Sequence, residues 1–334
     1  MREEIRFMVI THAAIKVTGE KGYATEWNAE HIFDDENRAL REASFVIAAS
    51  DSRDKERADY VCDGSADEVE INTAINALPA GGGGIQLLEG TYDINSSIIL
   101  SKDNVSINGL GRATEIQTSN AIQMIVATSK TGVFISGLKL YGNISSYGII
   151  LTSCTDSMIN FCWIENHAAH GIRLWECERC IVVSCTLTDV STQTLLLYGG
   201  SYNIIADSSF IGSGGNGIEW YISDNNIFIS NLVCENFGSG IAMGSSNNNV
   251  ITNNQINDND VTNLGAYNGI QLMDSDRNII SNNRCMNNDK YEIYIFNAAC
   301  DRNLILGNIC YGTDHVGAIQ DNGTNTELAH NVVL

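Results

Sequence analysis

Side chains that could take part in chemistry recur at one position of a repeated four-residue motif, Gly-Ile-x-Leu. Arg173, Glu219, Gln271 and Tyr294 occupy its third position. The residue after the motif is aromatic in several copies, namely Trp175, Tyr198, Tyr221 and Phe296. If the copies stack, these residues form an aromatic strip flanked by polar groups. Such a strip suits a sugar chain, because apolar ring faces pack on aromatics while hydroxyls bind polar side chains. Contact with another subunit is the alternative use of the strip.

Glu219 is the central residue of a hydrolysis hypothesis. Hydrolysis of a glycosidic bond requires two carboxyl groups, about 5–5.5 Å apart for retention or about 6.5–9.5 Å apart for inversion. Asp189 and Glu235 fall in turn positions of the repeat near the same strand. The sequence therefore predicts Glu219 with Asp189 or Glu235 as the carboxyl pair.

Arg173 and His170 support a different hypothesis, elimination or C5-epimerisation of an acidic sugar. Both reactions need a base and a cation that neutralises the carboxylate of the sugar. Arg173 is the candidate cation, and His170 or Tyr198 is the candidate base. The residues alone do not decide between hydrolase, lyase, epimerase and binding without cleavage.

A period of 23 residues organises the middle of the chain. It separates Gly148 from Gly171, and after one longer step of 29 residues, from Gly240 to Gly269, it returns. Because side chains alternate between the two faces of a strand, stacked coils place one apolar column inside. That predicted column is Ile149, Ile172, Leu195, Ile218, Ile241, Ile270 and Ile293, and a second is Ile164, Leu187, Phe210, Val233 and Ile256. Ile150 and Thr152 should face solvent. The pattern predicts an all-β fold, a right-handed single-stranded parallel β-helix of about 23 residues per coil.

Asparagine and cysteine also fall into columns. Asparagine accepts left-handed backbone geometry and can pair its amide with neighbouring coils, so the asparagine columns should lie at turns. They are Asn203, Asn226, Asn249, Asn278 and Asn303, and a second set of Asn254, Asn283 and Asn308. The ten cysteines are interpreted as buried apolar ladders, for example Cys162 with Cys185.

Composition excludes several classes of function. A formal charge of −21 without a basic patch argues against nucleic-acid binding. No run of eighteen apolar residues and no classical signal peptide is present, so we expect no membrane insertion. His167 and His170 lack the spacing of a zinc site, and we predict no metal and no cofactor. Asp258 and Asp260 are candidate calcium ligands without the EF-hand pattern.

The N-terminal part of the chain differs from the rest. Residues 1–58 lack the repeat and are predicted to form an attachment or oligomerisation segment, with a short charged helix at 34–44 and an apolar strand at 45–48. The β-helix domain is predicted to span 59–334. Ser65 and Glu68 have capping-box spacing, which predicts a helix over 65–78 that closes the mouth of the solenoid. The longer step inserts residues between Ile256 and Gly269, and we expect 257–268 to overhang the aromatic strip as a groove wall.

Several short stretches resemble the opening of the pectate-lyase-like right-handed β-helix superfamily. They are Asp63-Gly64, residues 78–84 (LPAGGGG), 88–92 (LEGTY) and 108–111 (NGLG) ahead of Ile116, and the resemblance covers 59–334. Residues 22–31 (GYATEWNAEH) are similar to a segment ahead of phage tail-appendage domains. The resemblance implies a tailspike-type or related polysaccharide-active protein, a homotrimer that is virion-associated or extracellular. Its superfamily includes lyases, hydrolases and epimerases, so a depolymerase, a non-enzymatic receptor-binding fibre and a C5-epimerase remain the alternatives.

Overall fold

The structure is a computed structural model that describes residues 44–142, 146–261, 265–311 and 317–333. The predicted helix at 34–44 (except its last residue) and the phage-like stretch at 22–31 lie outside these residues. In the described part, strands stack into two parallel sheets, one of 22 strands and one of ten. The predicted parallel β-helix is confirmed.

The ten-stranded sheet carries the Gly-Ile-x-Leu motif. Strands are numbered here in chain order. The members of this sheet are β5 (Ile98–Ile99), β7 (Gln123–Thr128), β9 (Tyr147–Thr152), β12 (Ile172–Trp175), β15 (Leu195–Tyr198), β18 (Ile218–Tyr221), β21 (Ile241–Gly244), β24 (Ile270–Met273), β27 (Tyr291–Ile295) and β30 (Gly317–Asp321).

Two further strands per coil form the 22-stranded sheet. Its early members are β1 (Ser44–Ala48), β2 (Tyr60–Val61), β3 (Gly83–Leu87), β4 (Gly90–Asp93), β6 (Val105–Gln117) and β8 (Phe134–Tyr141). The first strand of each later coil is β10 (Met158–Asn160), β13 (Ile181–Val183), β16 (Ile204–Ala206), β19 (Ile227–Ile229), β22 (Val250–Thr252), β25 (Ile279–Ser281), β28 (Leu304–Leu306) or β31 (Glu327–Ala329). The second is β11 (Trp163–Glu165), β14 (Thr186–Thr188), β17 (Ser209–Ile211), β20 (Leu232–Cys234), β23 (Gln255–Asn257), β26 (Arg284–Met286), β29 (Ile309–Tyr311) or β32 (Val332–Val333).

The predicted apolar columns pair residue by residue between coils. Ile172 is in register with Ile149 below it and Leu195 above it, and the pairing continues to Ile293. The second column runs in register from Ile164 to Ile256. Both columns are buried throughout. Each aliphatic side chain thereby contributes about 1.5–3 kcal/mol of burial to the shared core.

One helix, α1 (Glu68–Ala77), packs Ile71, Ala74 and Ile75 against the first coils. The expected capping box is wrong, because Asp67 occupies the N-cap position and Ser65 does not cap the helix. The Asp67 carboxylate instead accepts hydrogen bonds from the backbone N–H groups of Gly64 and Asp93, both at 2.8 Å. The carboxylate therefore ties the start of the helix to the end of β4. Within the described residues, no helix is long and apolar enough to cross a bilayer.

The strand β1 belongs to the same sheet as the repeats. It pairs in parallel with β3, with Phe45 opposite Ile85 and Ile47 opposite Leu87. A short 3-10 turn, Lys55–Arg57, connects it towards β2. The apolar strand predicted at 45–48 is thus present and lies at the first coil.

Left-handed residues turn the chain at the corners of each coil. One corner column contains Tyr202, Asn225 and Asn248, with φ of 58°, 59° and 57°. The predicted asparagine columns stand one residue later, so they do not themselves supply the left-handed geometry. Because the corner turns the next side chain inward, Asn203, Asn226 and Asn249 are buried. The structure therefore corrects the reason for the columns: asparagine is selected for its amide.

These buried asparagines form hydrogen-bonded ladders. The Oδ1 of Asn254 accepts the backbone N–H of Asn231 at 2.8 Å, and its Nδ2 donates to the carbonyl of Phe228 at 3.1 Å. Its Nδ2 also donates to Oδ1 of Asn283 at 2.9 Å. The amides thus satisfy the backbone groups that the corners remove from the sheets.

The ten cysteines are all free and buried, as expected for core positions. Cys285 is in register with Cys310, and its interaction with the Cys310 thiol, followed by burial, raises the pKa of the Cys285 thiol. The cysteines therefore act as small apolar residues of the solenoid interior.

A ladder substitution tests this account. We expect Asn254→Ala to lower the free energy of unfolding by about 2–4 kcal/mol, because it leaves several buried groups unpaired. The control is Gln255→Ala, one residue away on the exposed face of β23. Denaturant unfolding measures both, and equal losses in the two variants would contradict the ladder's role.

Glu292 ends a third amide ladder, Asn236–Asn259–Asn288, and makes stability depend on pH. Its carboxylate is buried, accepts a hydrogen bond from Asn288 Nδ2 at 2.5 Å, and burial raises its pKa from 4.5 to about 7. A raised carboxyl pKa means that the folded state holds the proton more tightly than the unfolded state. Its stabilising contribution is therefore complete below about pH 4.5 and is lost as pH rises through about 7.

We expect Glu292→Gln to remove this dependence. The amide keeps an acceptor for Asn288 and carries no charge, so the variant should gain on the order of 2 kcal/mol over the wild type at alkaline pH. Thermal unfolding from pH 4 to 9 measures it. Parallel curves for the two proteins would show that Glu292 does not carry the effect.

Candidate functional site

The outward face of the ten-stranded sheet brings together most of the predicted site residues. Arg173 lies in register with Leu196, and Glu219 follows one coil later. Gln271 and Tyr294 continue the same row in β24 and β27. At about 4.8 Å per coil, Arg173 and Glu219 stand two coils, or about 10 Å, apart along the axis.

The loop just before β15 contacts two of the predicted site residues, Glu219 and His170. Gln193 lies just before β15, and its Nε2 donates to Oε2 of Glu219 at 2.5 Å. Its neighbour Thr192 contacts His170, one coil below, through Oγ1 and the Nδ1 of the ring. His170, Thr192, Gln193 and Glu219 therefore form one polar group at the loop before β15, which we call the acid–base network. Gln193 stands one period after His170, and this spacing is the sequence feature that could have identified it as a candidate site residue.

Burial and charge set the protonation of this network. Burial, followed by the nearby positive charge of Arg173, lowers the pKa of His170 to about 4, so its ring is neutral at pH 7. Thr192 Oγ1 lies 3.3 Å from Nδ1 of that ring. Burial alone raises the pKa of Glu219 above 4.5. A neutral imidazole and a carboxyl with a raised pKa are suited to accept and donate a proton, respectively.

Arg173 stands beside the network. Its guanidinium carbon lies 4.5 Å from the centre of the Trp175 ring. Its Nε is buried and has no hydrogen-bond partner among the described residues. A buried donor without a partner costs about 1–3 kcal/mol.

The aromatic strip is assembled, but its ring faces are occupied. Trp175 and Tyr198 stack with centroids 4.0 Å apart and planes at 16°, and Tyr198 and Tyr221 follow at 6.1 Å and 22°. Tyr221 in turn lies against Gly244, where an added Cβ would come within 2.6 Å of its ring. Because these faces pack on each other, sugar contact with Trp175 and Tyr198 stays a prediction that would have to use other parts of the rings. The ring edges and the tyrosine hydroxyls remain for contact with a ligand.

Tyr294 and Phe296 form a separate cluster towards the C-terminal end. Their rings are 5.6 Å apart, and Tyr291 lies 5.0 Å from Tyr294. The Lys290 ammonium lies 5.6 Å from the Tyr294 ring. Gln271, one coil nearer the network, accepts a hydrogen bond from Asn268 at 2.8 Å. In the row of the aromatic strip, Tyr221 is followed by Gly244 and Met273, so two coils without an aromatic residue separate the two clusters.

Asp189 and Glu235 lie outside β18, the strand that carries Glu219. They are exposed and stand at left-handed corners after β14 and β20, with Gly212 between them in the column. Within the described residues, no charged neighbour contributes to the raised pKa of Glu219. The pairing needed for hydrolysis therefore has no support from the geometry.

The expectation that Ile150 faces solvent is wrong. Ile150 is buried, at 2% exposure, although it occupies the outward row, because it lies in register between Val126 and the longer Arg173.

The predicted wall loop leads into the N-terminal end of β24, next to Asn268, whereas the aromatic strip lies at the C-terminal ends of the strands. Residues 262–264 of that loop lie outside the described residues, and its role as a wall stays a prediction.

The candidate calcium ligands have other partners. The Asp260 carboxylate accepts the backbone N–H groups of Ala266 and Tyr267 at 2.9 and 3.0 Å. Asp258 accepts a hydrogen bond from Asn287 Nδ2 at 3.1 Å. These contacts give both carboxylates a structural role in and beside the loop.

Comparison with known proteins supports the architecture. Residues 194–334 match the family model described as a right-handed beta helix region. No curated protein sequence matches the chain. The Dettilon tailspike protein superposes with a TM-score of 0.67 at 16% identity, covering 82% of this chain and 60% of the tailspike. This chain therefore spans less than two thirds of that tailspike's length.

Two enzymes superpose on most of the chain as well. The periplasmic alginate epimerase AlgG gives a TM-score of 0.53 at 15% identity, covering 75% of this chain and 77% of the epimerase. The catalytic domain of a GH87 α-1,3-glucanase in complex with tetrasaccharides gives 0.51 at 12%, covering 78% and 67%. At these identities the likeness establishes the fold alone. The chain is a right-handed parallel β-helix, the fold that it shares with these tailspike, epimerase and glucanase structures.

Proposed function

We propose that the outward face of the ten-stranded sheet binds an acidic polysaccharide and that the acid–base network acts on it. The observation that carries this proposal is Arg173. It is a cation on the surface of a chain with a formal charge of −21, and its Nε is buried without a partner among the described residues. A sugar carboxylate supplies a countercharge for the guanidinium group.

The chemistry favoured by the network is proton transfer at the carbon next to that carboxylate. Arg173 stabilises the charge that develops on the carboxylate when the C5–H bond breaks. Neutral His170 accepts this proton. In elimination, the C4–O bond then breaks, a C4=C5 double bond forms, and protonated Glu219 donates its proton to the leaving oxygen. In epimerisation, protonated Glu219 instead donates its proton to C5 on the face opposite His170, and no bond to oxygen breaks.

The structural comparisons lend this proposal general support. Their names describe tailspikes, an alginate epimerase and a glucanase, so polysaccharides are the common theme. Placement on a virion or outside the cell, and assembly as a homotrimer, belong to the same proposal.

A non-enzymatic receptor-binding fibre is the second candidate function. The stacked faces of Trp175, Tyr198 and Tyr221 favour it, since these rings support one another and leave only edges for a ligand. Such a protein would bind its glycan at Arg173 without changing it.

The first test concerns binding. Arg173→Gln should weaken affinity for an acidic polysaccharide about 10- to 100-fold, because one charge-assisted contact of about 1.5–3 kcal/mol is lost. Arg179→Gln is the matched control, since Arg179 is an exposed corner residue paired with Asp156 at 2.7 Å. Isothermal titration calorimetry against acidic and neutral glycans measures both. An equal effect of the two substitutions would place the binding site elsewhere.

The second test concerns chemistry. Glu219→Gln and His170→Ala should each lower turnover about 10²- to 10⁴-fold while leaving glycan affinity nearly unchanged. Asp207→Asn, at an exposed corner of the other sheet, serves as the control. Ultraviolet absorbance detects the unsaturated product of a lyase, NMR detects inverted C5 centres, and a reducing-end assay detects hydrolysis.

The pH profile follows from the two groups. Activity should fall below about pH 4, where His170 becomes protonated, and should fall again at higher pH as Glu219 loses its proton. Reducing ends without unsaturated product would instead indicate hydrolysis and overturn the assigned chemistry. Binding without any product would establish the fibre.

A further inference from the structure

A second group of large side chains lies on the outward face of the 22-stranded sheet, whereas Arg173 and Glu219 lie on the ten-stranded one. It occupies three successive strands, β6, β8 and β11, whose C-terminal ends are in register. The outward residues there are charged, aromatic or amide side chains, namely Glu115, Gln117, Lys139, Tyr141, Trp163 and Glu165. In the next two coils the same positions hold small or aliphatic residues, namely Thr186, Thr188, Ser209 and Ile211. Because the fold does not fix outward residues, this concentration in three coils indicates a local function.

An irregularity in β6 builds one wall of this group. The register between β6 and β8 shifts twice between Asn108 and Glu115, so the residues between them bulge out of the sheet. The bulge places Nη2 of Arg112 at 2.7 Å from Oε1 of Glu165. It also places the guanidinium carbon of Arg112 at 5.6 Å from the centre of the Trp163 ring. An ion pair and a cation–π contact therefore hold the wall in place.

The charges within this group neutralise one another. Nζ of Lys139 lies 3.1 Å from Oε2 of Glu115 and 3.6 Å from Oε2 of Glu165. The Glu165 carboxylate also binds Arg112, so two cations face two carboxylates. The whole chain, by contrast, has a formal charge of −21. A patch without net charge gives little electrostatic attraction to a charged ligand.

A pocket of about 410 Å³ opens beside this group, at the corner that follows the three strands. Its lining includes Asp93, Gln117, Thr118, Tyr141 and Asn166. The Nε2 of Gln117 donates to Oδ1 of Asp93 at 2.6 Å, and the Nδ2 of Asn166 donates to the carbonyl of Gly142 at 3.1 Å. These hydrogen bonds orient the two amides before any ligand arrives. Ligand pockets measure about 300–1,000 Å³, and the lower end of that range fits a mono- or disaccharide.

The lining selects the class of ligand. Amides, a hydroxyl and a carboxylate suit a ligand whose own hydroxyls both donate and accept hydrogen bonds. Tyr141, which is 39% exposed, adds an aromatic surface for the apolar face of a sugar ring. None of the described residues that line the pocket is basic, and an anion would be repelled by the Asp93 carboxylate. The matching ligand is therefore an uncharged saccharide.

We propose that this pocket binds a neutral mono- or disaccharide unit, separately from the site at Arg173. Nζ of Lys139 lies 5.3 Å from the centre of the Tyr141 ring, so the ion-paired group holds the ring that contacts the sugar. The inference does not rest on the proposed function, because the two sites share no residue and differ in the charge of their ligands.

Binding to the full chain tests the proposal, measured by saturation-transfer NMR and isothermal titration calorimetry. The neutral probes are glucose, galactose, mannose, maltose and lactose, and the acidic probe is glucuronate. At least one neutral probe should bind, and glucuronate should bind more weakly. Tyr141→Ala should weaken the neutral affinity about tenfold, because the contact between the sugar and the ring is lost. The control is Tyr311→Ala, which should leave the affinity unchanged. Tyr311 stands in the same outward row near the C-terminal end and is 41% exposed.

A second variant covers the case in which Tyr141→Ala disturbs the fold. Gln117→Leu keeps the size of the side chain and removes its amide, so it should also weaken neutral binding while the far-ultraviolet circular dichroism stays unchanged. Arg173→Gln should leave neutral binding intact, since it belongs to the other site. Loss of neutral binding in that variant would show a single shared site and refute the proposal. Equal effects of Tyr141→Ala and Tyr311→Ala, tighter binding of glucuronate, or no binding of any neutral probe would refute it as well.

Discussion

The in-register hydrogen bonding between successive coils is the constraint on which the rest of this structure depends. Each strand pairs with the residue one period away, so a position in the repeat fixes whether a side chain lies inside, outside or at a corner. Burial is thereby shared among coils that have almost no core of their own. The same constraint explains the asparagine ladders. Where the corners interrupt the sheets, the side-chain amides of residues such as Asn226 and Asn254 continue the pairing from coil to coil.

Corner geometry is imposed by this stacking even on residues that resist it. Phe161 and Ile222 adopt φ of 49° and 50°, where a side chain with a Cβ is strained by about 1–2 kcal/mol. Glycine fills the corresponding positions in other coils, such as Gly199 in the column of Ile222. A coil with a bulky corner is held in place by its neighbours above and below, which shows that pairing between coils outweighs local preference.

The sequence predicted what depends on the period and missed what depends on contacts between columns. The inward columns from Ile149 to Ile293 follow from spacing alone, and the structure confirms them. The hydrogen bond from Gln193 to Glu219 is diagonal, joining different columns of successive coils, so no single column reveals it. The orientation of the Trp175 ring could not be predicted from the sequence either. Spacing placed it next to Tyr198, but the choice between open and stacked ring faces depends on side-chain torsions and on the nearby Arg173.

The two sheets therefore present surfaces of opposite chemistry at the same rise per coil. On the ten-stranded sheet, the outward row varies from Arg173 through Glu219 to Gln271, so neighbouring coils differ and a ligand would meet a particular sequence of groups. On the 22-stranded sheet, the outward row of the first strands repeats aliphatic residues such as Ile204 and Ile227, so neighbouring coils are alike. Side chains that vary along the axis can recognise a polymer at one place. A row of similar aliphatic side chains instead offers the same apolar surface at every coil. Because the fold fixes only the inward columns, the outward rows of the two sheets can differ in chemistry without affecting the core.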